Sequence, residues 1–498
     1  MKFLKTLFPI FIIIILSYFA IAPFLKTGFF PMHDDTQVAR VFEMTKSLKS
    51  GMFPVRWVFD LGYGLGYPIF NFYAPLSYYF GAIFMLVGFN ALLATKITMI
   101  LGIILAGIFM YLFTKELFGK TGGIVSALFY IYAPYHALDI YVRGDVAEFW
   151  AYAFIPLVFF GLWKISKKGN WNFILITALG MAGITLSHNL TAMMASPFII
   201  LYTLILSIFL IRNREYKKIY YMILSLILGV AISAFYWFPA LLEMKNTNVL
   251  SQIGGGSHFP DHFACIAQLW SSPWGFGGST KGCVDGLSFM IGKAHILLSF
   301  LSFILITVLI FWKKIKLNDE KVVIGLFAFL GFIFSAFLTI DASLFIWKDI
   351  SLMAFFQFPW RFLLMVSFFS SILSGAIIWQ IGFINLKKLF PHLKLEIAGL
   401  LIVGLLFLNI KFFIAQKQTN VDSNYYTNEY ALKWRTSKIS DEYLPKNTIK
   451  PKNASQALLS KREFSFKETP VERASDLISL VGILALFIGI IYPRLRHE

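Results

Sequence analysis

The stretch FPMHDDTQVARVFEMTKSLKSG, residues 30–51, follows the first long apolar run of the chain, Leu7–Leu25. It contains a histidine and two adjacent acids, His33, Asp34 and Asp35, and then apolar and charged residues at helical spacing. That spacing predicts an amphipathic helix lying at a membrane surface. One of the acids can cap this helix, but capping leaves the other acid and the histidine unexplained. The alternative is a carboxylate that serves as a general base or a metal ligand.

Composition places the whole chain in a membrane. Of its 498 residues, 58% are hydrophobic and only 14% are charged, whereas about a quarter of a soluble domain is charged. Mean hydropathy is +0.71. Apolar runs of roughly 17–25 residues, each long enough to cross about 30 Å of hydrocarbon, recur along the chain. The net charge of +18 comes from lysines and arginines grouped between these runs, which indicates membrane orientation and no nucleic-acid partner.

The charges between the apolar segments predict which side of the membrane each connector faces. Every second connector is basic, and the positive-inside rule assigns these to the cytoplasm together with both termini. The apolar segment 72–88 would break this alternation if it crossed, so we predict that it is re-entrant or lies on the surface. The crossings are predicted at about residues 7–25, 91–113, 121–137, 146–163, 171–188, 192–211, 219–241, 289–312, 322–340, 361–382, 396–414 and 476–492.

The remaining connectors face outward in this topology and hold most of the unusual polar residues. They include a first outer loop, 26–90, and a large outer loop, 242–288. A polar stretch, 415–475, predicts a small extracytoplasmic domain, and its alternating REFSFKETPV segment is compatible with β structure. Residues 1–414 then form a transmembrane domain, and 476–498 form a last helix with a basic cytoplasmic tail. Any chemistry is therefore expected outside the cytoplasm.

The large outer loop contains the two cysteines of the chain, Cys265 and Cys283. In an oxidising exterior they can pair and close a loop of about 18 residues, which contributes on the order of 3 kcal/mol; two free thiols are the alternative. His258 and His262 have a spacing seen in zinc sites, but Pro260 between them prevents a shared helical face.

Charged residues at the outer ends of helices are candidates for function, because an ionisable group at membrane depth usually has a role. The stretch YVRGDVAEFW places Arg143, Asp145 and Glu148 where the fourth crossing begins; an ion pair that joins two helices is the alternative. LSHNL and FPWRF place His188 and Arg361 at the ends of two other crossings. Arginine suits phosphate because its planar guanidinium donates two parallel hydrogen bonds.

The order of these motifs resembles the GT-C superfamily of integral-membrane glycosyltransferases. The similarity is to a bacterial and archaeal branch known as 6-pyruvoyl-tetrahydropterin synthase-related membrane proteins. It is carried by the acids of the first outer loop, a surface helix ending SGMFPVRW, and then GYGLGYPIFNFYAPLSYY, RGDVAEFWAYAFIPL, SHN and FPWRF, over roughly residues 1–380. The resemblance implies an all-α polytopic membrane fold with about 12 transmembrane helices and interfacial helices in the first outer loop.

The resemblance implies transfer of a sugar, with inversion, from a polyprenyl-phosphate-linked donor to an extracytoplasmic acceptor. A carboxylate must take the proton of the acceptor hydroxyl, and cations must stabilise the leaving phosphate. The base falls on Asp34, with Asp35 second. Three basic residues are expected to bind the donor phosphate: Arg143, His188 and Arg361. The supporting residues are His33, Arg40, Arg56, Asp145 and Glu148.

Some members of the family use a divalent metal held by acids of the first two outer loops. Mg²⁺ or Mn²⁺ could bind here to Asp34, Asp145 and Glu148, but RGDVAE lacks the Asp-x-Asp or Glu-x-Asp pattern, which leaves metal dependence open. The expected partners are the lipid-linked donor and membrane lipids, with a glycan, lipid or protein as acceptor.

Two other functions are compatible with an outward-facing polytopic chain. A transporter or flippase of lipid-linked glycans would favour inverted repeats and charges near the midplane. An O-antigen-type polymerase or ligase would be built around arginine and histidine in one large outer loop. The acids of the first outer loop favour glycosyl transfer over both.

Overall fold

The computed structural model describes residues 2–249, 255–384, 392–460 and 467–495. In these ranges the regular structure is helical, and extended residues pair only in isolated bridges. The prediction of an all-α fold is therefore confirmed.

Seven described helices are long and apolar enough to cross a membrane, and two bent pairs raise the number to nine. A multi-pass membrane protein follows, while the predicted number of about 12 crossings stays a prediction. The long helices are Ala91–Ile131, Val146–Lys168, Asn189–Arg212, Lys293–Phe311, Glu320–Leu338, Pro359–Ile381 and Leu393–Phe412. The bent pairs are Leu7–Leu16 with Tyr18–Leu25, at 53°, and Tyr216–Ile232 with Ala234–Asn246, at 65°.

Shorter helices fill the connectors and the end of the chain. Trp171–Ser187 and Pro470–Leu495 pack in the same bundle as the long helices. The others are Gln37–Lys49, Ile69–Phe72, Leu76–Leu86, Pro134–Leu138, Asp139–Arg143, Ile266–Trp270, Leu344–Asp349, Ser423–Thr427, Ala431–Thr436, Ser437–Ile439 and Ala454–Leu459.

The 41-residue element Ala91–Ile131 folds back on itself at Gly119, where a φ of +78° interrupts the helix. Its two arms pack against each other, since a β-carbon on Gly107 would lie 2.4 Å from the Ile131 side chain. Likewise, a β-carbon on Gly123 would lie 2.9 Å from Tyr111. In each contact the two residues lie at similar distances along the chain on either side of Gly119. The two arms therefore run antiparallel as a hairpin.

The end of the first outer loop, which includes the apolar segment 72–88, forms two short helices, Ile69–Phe72 and Leu76–Leu86. The second has 11 residues, a rise of about 16 Å, which is too short to cross the hydrocarbon core. It packs against Gln37–Lys49, where a β-carbon on Gly81 would lie 2.6 Å from Val41. The structure is thus compatible with a re-entrant or surface-lying segment.

The helix Gln37–Lys49 forms as expected, but it does not lie on a surface. Its polar residues are buried with its apolar ones, and Arg40 and Glu43 are only 4% and 0% exposed. Leu76–Leu86 covers one side of the helix and Ser423–Thr427 another. Segments distant in sequence therefore cover the polar face that was expected to meet water, and the position of the helix at the membrane interface stays a prediction.

The described part of 415–475 packs on the first outer loop. The Tyr63 hydroxyl donates to Asp441 at 2.8 Å, and Arg40 donates to Ser440 at 3.0 Å. Its helices are short, from Ser423–Thr427 to Ala454–Leu459. Much of the REFSFKETPV segment, for which β structure was expected, lies outside the described residues.

Candidate functional site

The first outer loop and the second outer loop, residues 138–145, are joined by their backbones. The N–H of His33 donates to the carbonyl of Val142 at 3.0 Å, and the N–H of Asp34 donates to the carbonyl of Arg143 at 2.9 Å. The Gln37 side chain adds a hydrogen bond to the Gly144 carbonyl at 2.8 Å. Asp34 is therefore held beside the Arg143 backbone by the local fold.

Gly144 makes this close approach possible. Its φ is +67°, and a β-carbon there would lie 2.1 Å from Sδ of Met32. We expect Gly144→Ala to lower the free energy of unfolding by about 1–3 kcal/mol, because both the backbone conformation and the contact become strained. The midpoint of thermal unfolding in detergent measures this effect. Gly399→Ala is the matched control, since nothing lies within 4 Å of its β-carbon; equal midpoints for the two variants would contradict the role of Gly144.

A cavity of about 780 Å³ collects predicted residues from separated parts of the chain. Its wall includes Asp34 from the first outer loop, Arg143 and Asp145 from the second, and His188 and Arg361 from the ends of two long helices. Facing groups from such distant segments can act on one ligand. The acid and the basic residues that the sequence analysis singled out thus meet at one place.

Arg143 is buried among three carboxylates. Its guanidinium lies 2.5 Å from Asp139, 2.9 Å from Asp145 and 2.8 Å from Glu148. The ring of Trp360 lies 5.0 Å from its charged centre. A guanidinium with this many anionic partners is already neutralised, so the arrangement suits Arg143 for holding the acids in place better than for binding phosphate.

Arg361 is placed differently. It is 7% exposed, its Nε lies 3.5 Å from Glu148, and the Phe358 ring lies 5.4 Å from its charged centre. Within the described ranges, its Nε and one terminal nitrogen, Nη1, have no hydrogen-bond partner. Buried donors without acceptors are rare. Arg361 is therefore the basic residue of the cavity best suited to receive an anionic ligand.

Asp145, Glu148 and His188 form a group that could hold a metal ion. One ligand atom of each lies within 4.8 Å of the others, and all three side chains are buried. Asp145 caps the helix Val146–Lys168 by accepting a hydrogen bond from the Glu148 N–H at 3.0 Å. Asp34, which the sequence analysis included among the metal candidates, is not part of this group; His188, expected to bind phosphate, is.

Two observations test whether this group fits a cation. Glu148 Oε2 touches both guanidinium groups as an ion pair, but no donor in the described part of the chain is aligned to hydrogen bond with it. Arg143 and Arg361 lie among the carboxyl groups of Asp34, Asp139, Asp145 and Glu148, with Arg40 as a third cation near Asp34. The donor set of two carboxylates and an imidazole fits a divalent ion.

Asp34 and Asp145 carry opposite pKa shifts. Burial raises the pKa of Asp34, and the neighbouring Asp145 charge raises it further, against the influence of Arg40, Arg143 and Arg361. Burial also raises the pKa of Asp145, but Arg143, His188 and Arg361 hold it at about 2. Asp145 is thus the ionised member of the pair, while Asp34 is the carboxyl that more readily holds a proton.

The remaining predicted residues lie around or outside the cavity. His33 is on its wall and contacts the Phe276 carbonyl at 3.0 Å. Asp35 does not line the cavity; burial raises its pKa to about 6, with the Arg435 charge acting in the opposite direction. Arg40 lies behind the wall, where Tyr73 covers its guanidinium at 4.2 Å from the ring centroid.

Arg56 lies outside the cavity and joins the first outer loop to the last helix. It is 1% exposed and donates to Asp476 at 2.6 Å, to Asn71 at 3.1 Å and to the Phe235 carbonyl at 2.7 Å. Its Nε lies 3.9 Å from Glu472. These contacts indicate that Arg56 has a structural role.

The large outer loop forms another part of the wall. Cys265 and Cys283 are joined by a disulfide across 18 positions, and His262, which precedes Cys265 in the same loop, lines the cavity. Both ring nitrogens of His262 have partners, the Gly256 carbonyl at 3.0 Å and the Ser279 hydroxyl at 2.8 Å. These two contacts indicate that His262 supports the structure of the loop.

Sequence reasoning missed several residues of the site. Asp139 is 1% exposed and pairs with Arg143 one helical turn later, a spacing that could have indicated it. Tyr135 donates a hydrogen bond to Glu148. Glu442 and Tyr443 line the cavity from the C-terminal part of the chain. No motif in the sequence marks these last two.

Comparison with known proteins places the chain in a family context. Residues 70–253 match the model of a family described as "6-pyruvoyl-tetrahydropterin synthase related domain; membrane protein". An uncharacterized protein of Lactococcus lactis subsp. cremoris (strain MG1363) is 28% identical over 253 residues. That match covers 49% of this chain and 41% of the relative, so this chain spans about two fifths of the length of the relative.

Solved structures relate the whole fold to a known one. The oligosaccharyltransferase of Archaeoglobus fulgidus, tethered with an acceptor peptide containing the NVT sequon, has a TM-score of 0.51 at 12% identity, with 97% of this chain and 64% of that chain covered. ArnT from Cupriavidus metallidurans, bound to undecaprenyl phosphate, reaches a TM-score of only 0.32 at 10% identity, with 76% and 79% covered, which is too low to bear on the fold. The chain thus has a fold like that of the oligosaccharyltransferase, and its residues 70–253 match the model of the 6-pyruvoyl-tetrahydropterin synthase related membrane domain.

Proposed function

We propose that the protein is a glycosyltransferase that moves a sugar, with inversion, from a polyprenyl-phosphate-linked donor to an acceptor outside the cytoplasm. One observation carries the proposal: Asp34 shares a cavity with Arg361, a cation with two buried donors that lack a hydrogen-bond partner among the described residues. A base and an anion-binding group are the two elements that such a transfer needs. The GT-C fold supports the same conclusion.

In the proposed reaction, Asp34 takes the proton of the acceptor hydroxyl. The acceptor oxygen then forms a bond to the anomeric carbon while the bond from that carbon to the phosphate oxygen breaks, and the phosphate leaves on its lipid. Arg361 stabilises the charge that develops on the leaving phosphate. Arg143 keeps Asp139, Asp145 and Glu148 in place beneath the site.

The apolar part of the cavity wall suits a lipid-linked donor. Leu241 and Leu352 line the cavity and are 56% and 57% exposed. Met193 and Phe355 continue this apolar wall. A polyprenyl chain can thus lie along the protein while its phosphate reaches Arg361.

Asp145, Glu148 and His188 are proposed to hold a divalent cation. A cation bound there would act as a Lewis acid toward the phosphate oxygens of the donor. An imidazole ligand favours Mn²⁺ over Mg²⁺, which prefers oxygen ligands and water.

Removal of the metal gives a test of this assignment. We expect EDTA to lower the transfer rate at least about tenfold, because loss of a group that only hydrogen bonds to a metal ligand already costs that much in metal sites. Added Mn²⁺ should restore the rate. Mn²⁺ should also raise the midpoint of thermal unfolding of the EDTA-treated wild type, since binding to the folded state stabilises it. His188→Ala should lose this shift and Asp35→Asn should keep it. An unchanged rate and an unchanged midpoint would reject the metal.

The function itself is tested by donor consumption. Purified protein in vesicles is incubated with a polyprenyl-phosphate sugar labelled in the sugar, and lipid and water phases are separated after the reaction. We expect label to leave the lipid in a new covalent product. Label that crosses the vesicle membrane while staying on its lipid would instead show a flippase.

A further inference from the structure

The C-terminal segment 437–446 is fixed to the first outer loop beside the cavity. Tyr63 donates its hydroxyl proton to Asp441 at 2.8 Å and its backbone N–H to the Ser437 hydroxyl at 3.1 Å. The N–H of Tyr443 donates to the Tyr67 hydroxyl at 3.2 Å. These contacts hold the segment at both ends, so its side chains have defined positions.

Two side chains of this segment enter the wall of the cavity. Glu442 and Tyr443 line it together with Asp34 and Tyr73. Glu442 is held by Ser440, whose hydroxyl donates to its Oε1 at 3.1 Å. Both side chains remain partly exposed.

Aromatic rings support these two residues. Phe72 stacks on Tyr443 with ring centroids 5.8 Å apart and planes 5° from parallel. Tyr73 meets the same ring edge-on at 6.4 Å and reaches Asp145 with its hydroxyl at 3.5 Å. An aromatic surface beside a carboxylate thus lies next to Asp34.

The chemistry of this corner selects among acceptors. Carboxylates accept charge-assisted hydrogen bonds from hydroxyl groups, and an aromatic ring packs against the apolar face of a sugar. Asp34 and Glu442 also make the corner acidic, which disfavours a phosphate or carboxylate. A neutral polyol fits these conditions better than an anionic acceptor does.

On the basis of the proposed glycosyl transfer, we propose that Asp34, Tyr73, Glu442 and Tyr443 form the acceptor subsite, and that it takes the non-reducing end of a neutral glycan. Glu442 binds a hydroxyl adjacent to the attacking one, and Tyr443 packs against the sugar ring. Asp34 then faces the attacking hydroxyl. The C-terminal segment therefore determines acceptor specificity, while the donor is bound by groups of the helical bundle.

The experiment compares acceptor and donor kinetics with a panel of octyl glycosides as acceptors. Glu442→Ala and Tyr443→Ala are each expected to raise the KM for the glycoside on the order of tenfold, the loss that follows from one charged hydrogen bond or one stacking contact. The KM for the polyprenyl-phosphate sugar should change less than about twofold. Glu429→Ala is the matched control, because this glutamate shortly precedes the segment in the chain but is 63% exposed and pairs with Lys433.

A binding measurement tests the acceptor subsite independently of the proposed reaction. Trp237 and Trp360 line the cavity, so binding of methyl glycosides should quench tryptophan fluorescence in the wild type and in Glu429→Ala, and much less in Glu442→Ala. Quenching without donor consumption would reject glycosyl transfer but support the subsite. Unchanged glycoside KM and binding in both variants, or better transfer to a serine-containing peptide than to the glycosides, would overturn the inference.

Discussion

Asp34→Asn is expected to lower the rate of sugar transfer about 10²- to 10⁴-fold, the loss that follows when a positioned general base is removed. An asparagine amide has nearly the same shape as the carboxyl, but it does not accept the acceptor's proton. The initial rate with saturating donor measures this effect. Because burial raises the pKa of Asp34, the folded protein carries the ionised form at a cost, and the variant should unfold at the same or a higher temperature.

Asp35→Asn is the matched control, one position along the chain. Asp35 does not line the cavity and lies near Arg435, so its replacement should change the rate less than about threefold. If Asp35→Asn lost as much activity as Asp34→Asn, the assignment of the base would be wrong.

The pH dependence of the rate follows from the same group. Transfer needs ionised Asp34, and its pKa is raised above 3.8, so the rate should fall with decreasing pH through a pKa above that value. An acid limb at or below 3.8 would contradict the burial of the base.

Arg361→Met is expected to lower the transfer rate about 10²- to 10³-fold, comparable to the loss of one oxyanion-hole donor. Its Nε and Nη1 have no hydrogen-bond partner among the described residues, so the guanidinium has hydrogen bonds to give to a phosphate. Methionine has similar length and apolar character, which favours folding at this buried site. Arg361→Lys should retain part of the activity, since an ammonium keeps the charge but not the planar pair of donors.

Arg435→Met serves as the control for charge loss. Arg435 does not line the cavity, and its guanidinium lies 3.7 Å from the centroid of the Tyr425 ring. We expect its transfer rate to stay near that of the wild type. Equal losses in Arg361→Met and Arg435→Met would show that net charge, and not phosphate binding, sets the rate.

The fold class and the acid of the site could be predicted from sequence because they depend on local pattern. Apolar runs of membrane length exist independently of tertiary contacts. The base candidate stood out because two acids followed Leu7–Leu25, and only the structure separates them: Asp34 lines the cavity and Asp35 does not. Which of two adjacent side chains faces a ligand depends on the loop backbone, here on its hydrogen bonds to Val142 and Arg143.

The role of Arg143 could not be predicted, because its partners decide it. Two of them, Asp145 and Glu148, are local, and they suggested an ion pair as one alternative. The third, Asp139, lies one turn earlier, and the three together leave little charge for a phosphate. Glu442 was missed for a different reason: it lies hundreds of residues from Asp34, and only tertiary packing of the C-terminal segment brings it to the cavity.

The burial of Gln37–Lys49 likewise could not be predicted from the sequence. Its spacing predicts an amphipathic helix correctly, but periodicity does not say what covers the polar face. Arg40 is covered by Tyr73 and by the Ser440 region of the C-terminal segment. A polar face that would meet water in an isolated loop meets other protein segments here.

The central claim is that the cavity forms a glycosidic bond, and the structure of the product tests it most directly. Purified protein is supplied with a polyprenyl-phosphate sugar of known anomeric configuration and an octyl glycoside, and the product is examined by mass spectrometry and NMR. We predict one added sugar whose anomeric configuration is inverted relative to the donor, formed by the wild type and lost in Asp34→Asn. A product with retained configuration, or an inverted product formed equally well by Asp34→Asn, would contradict the account.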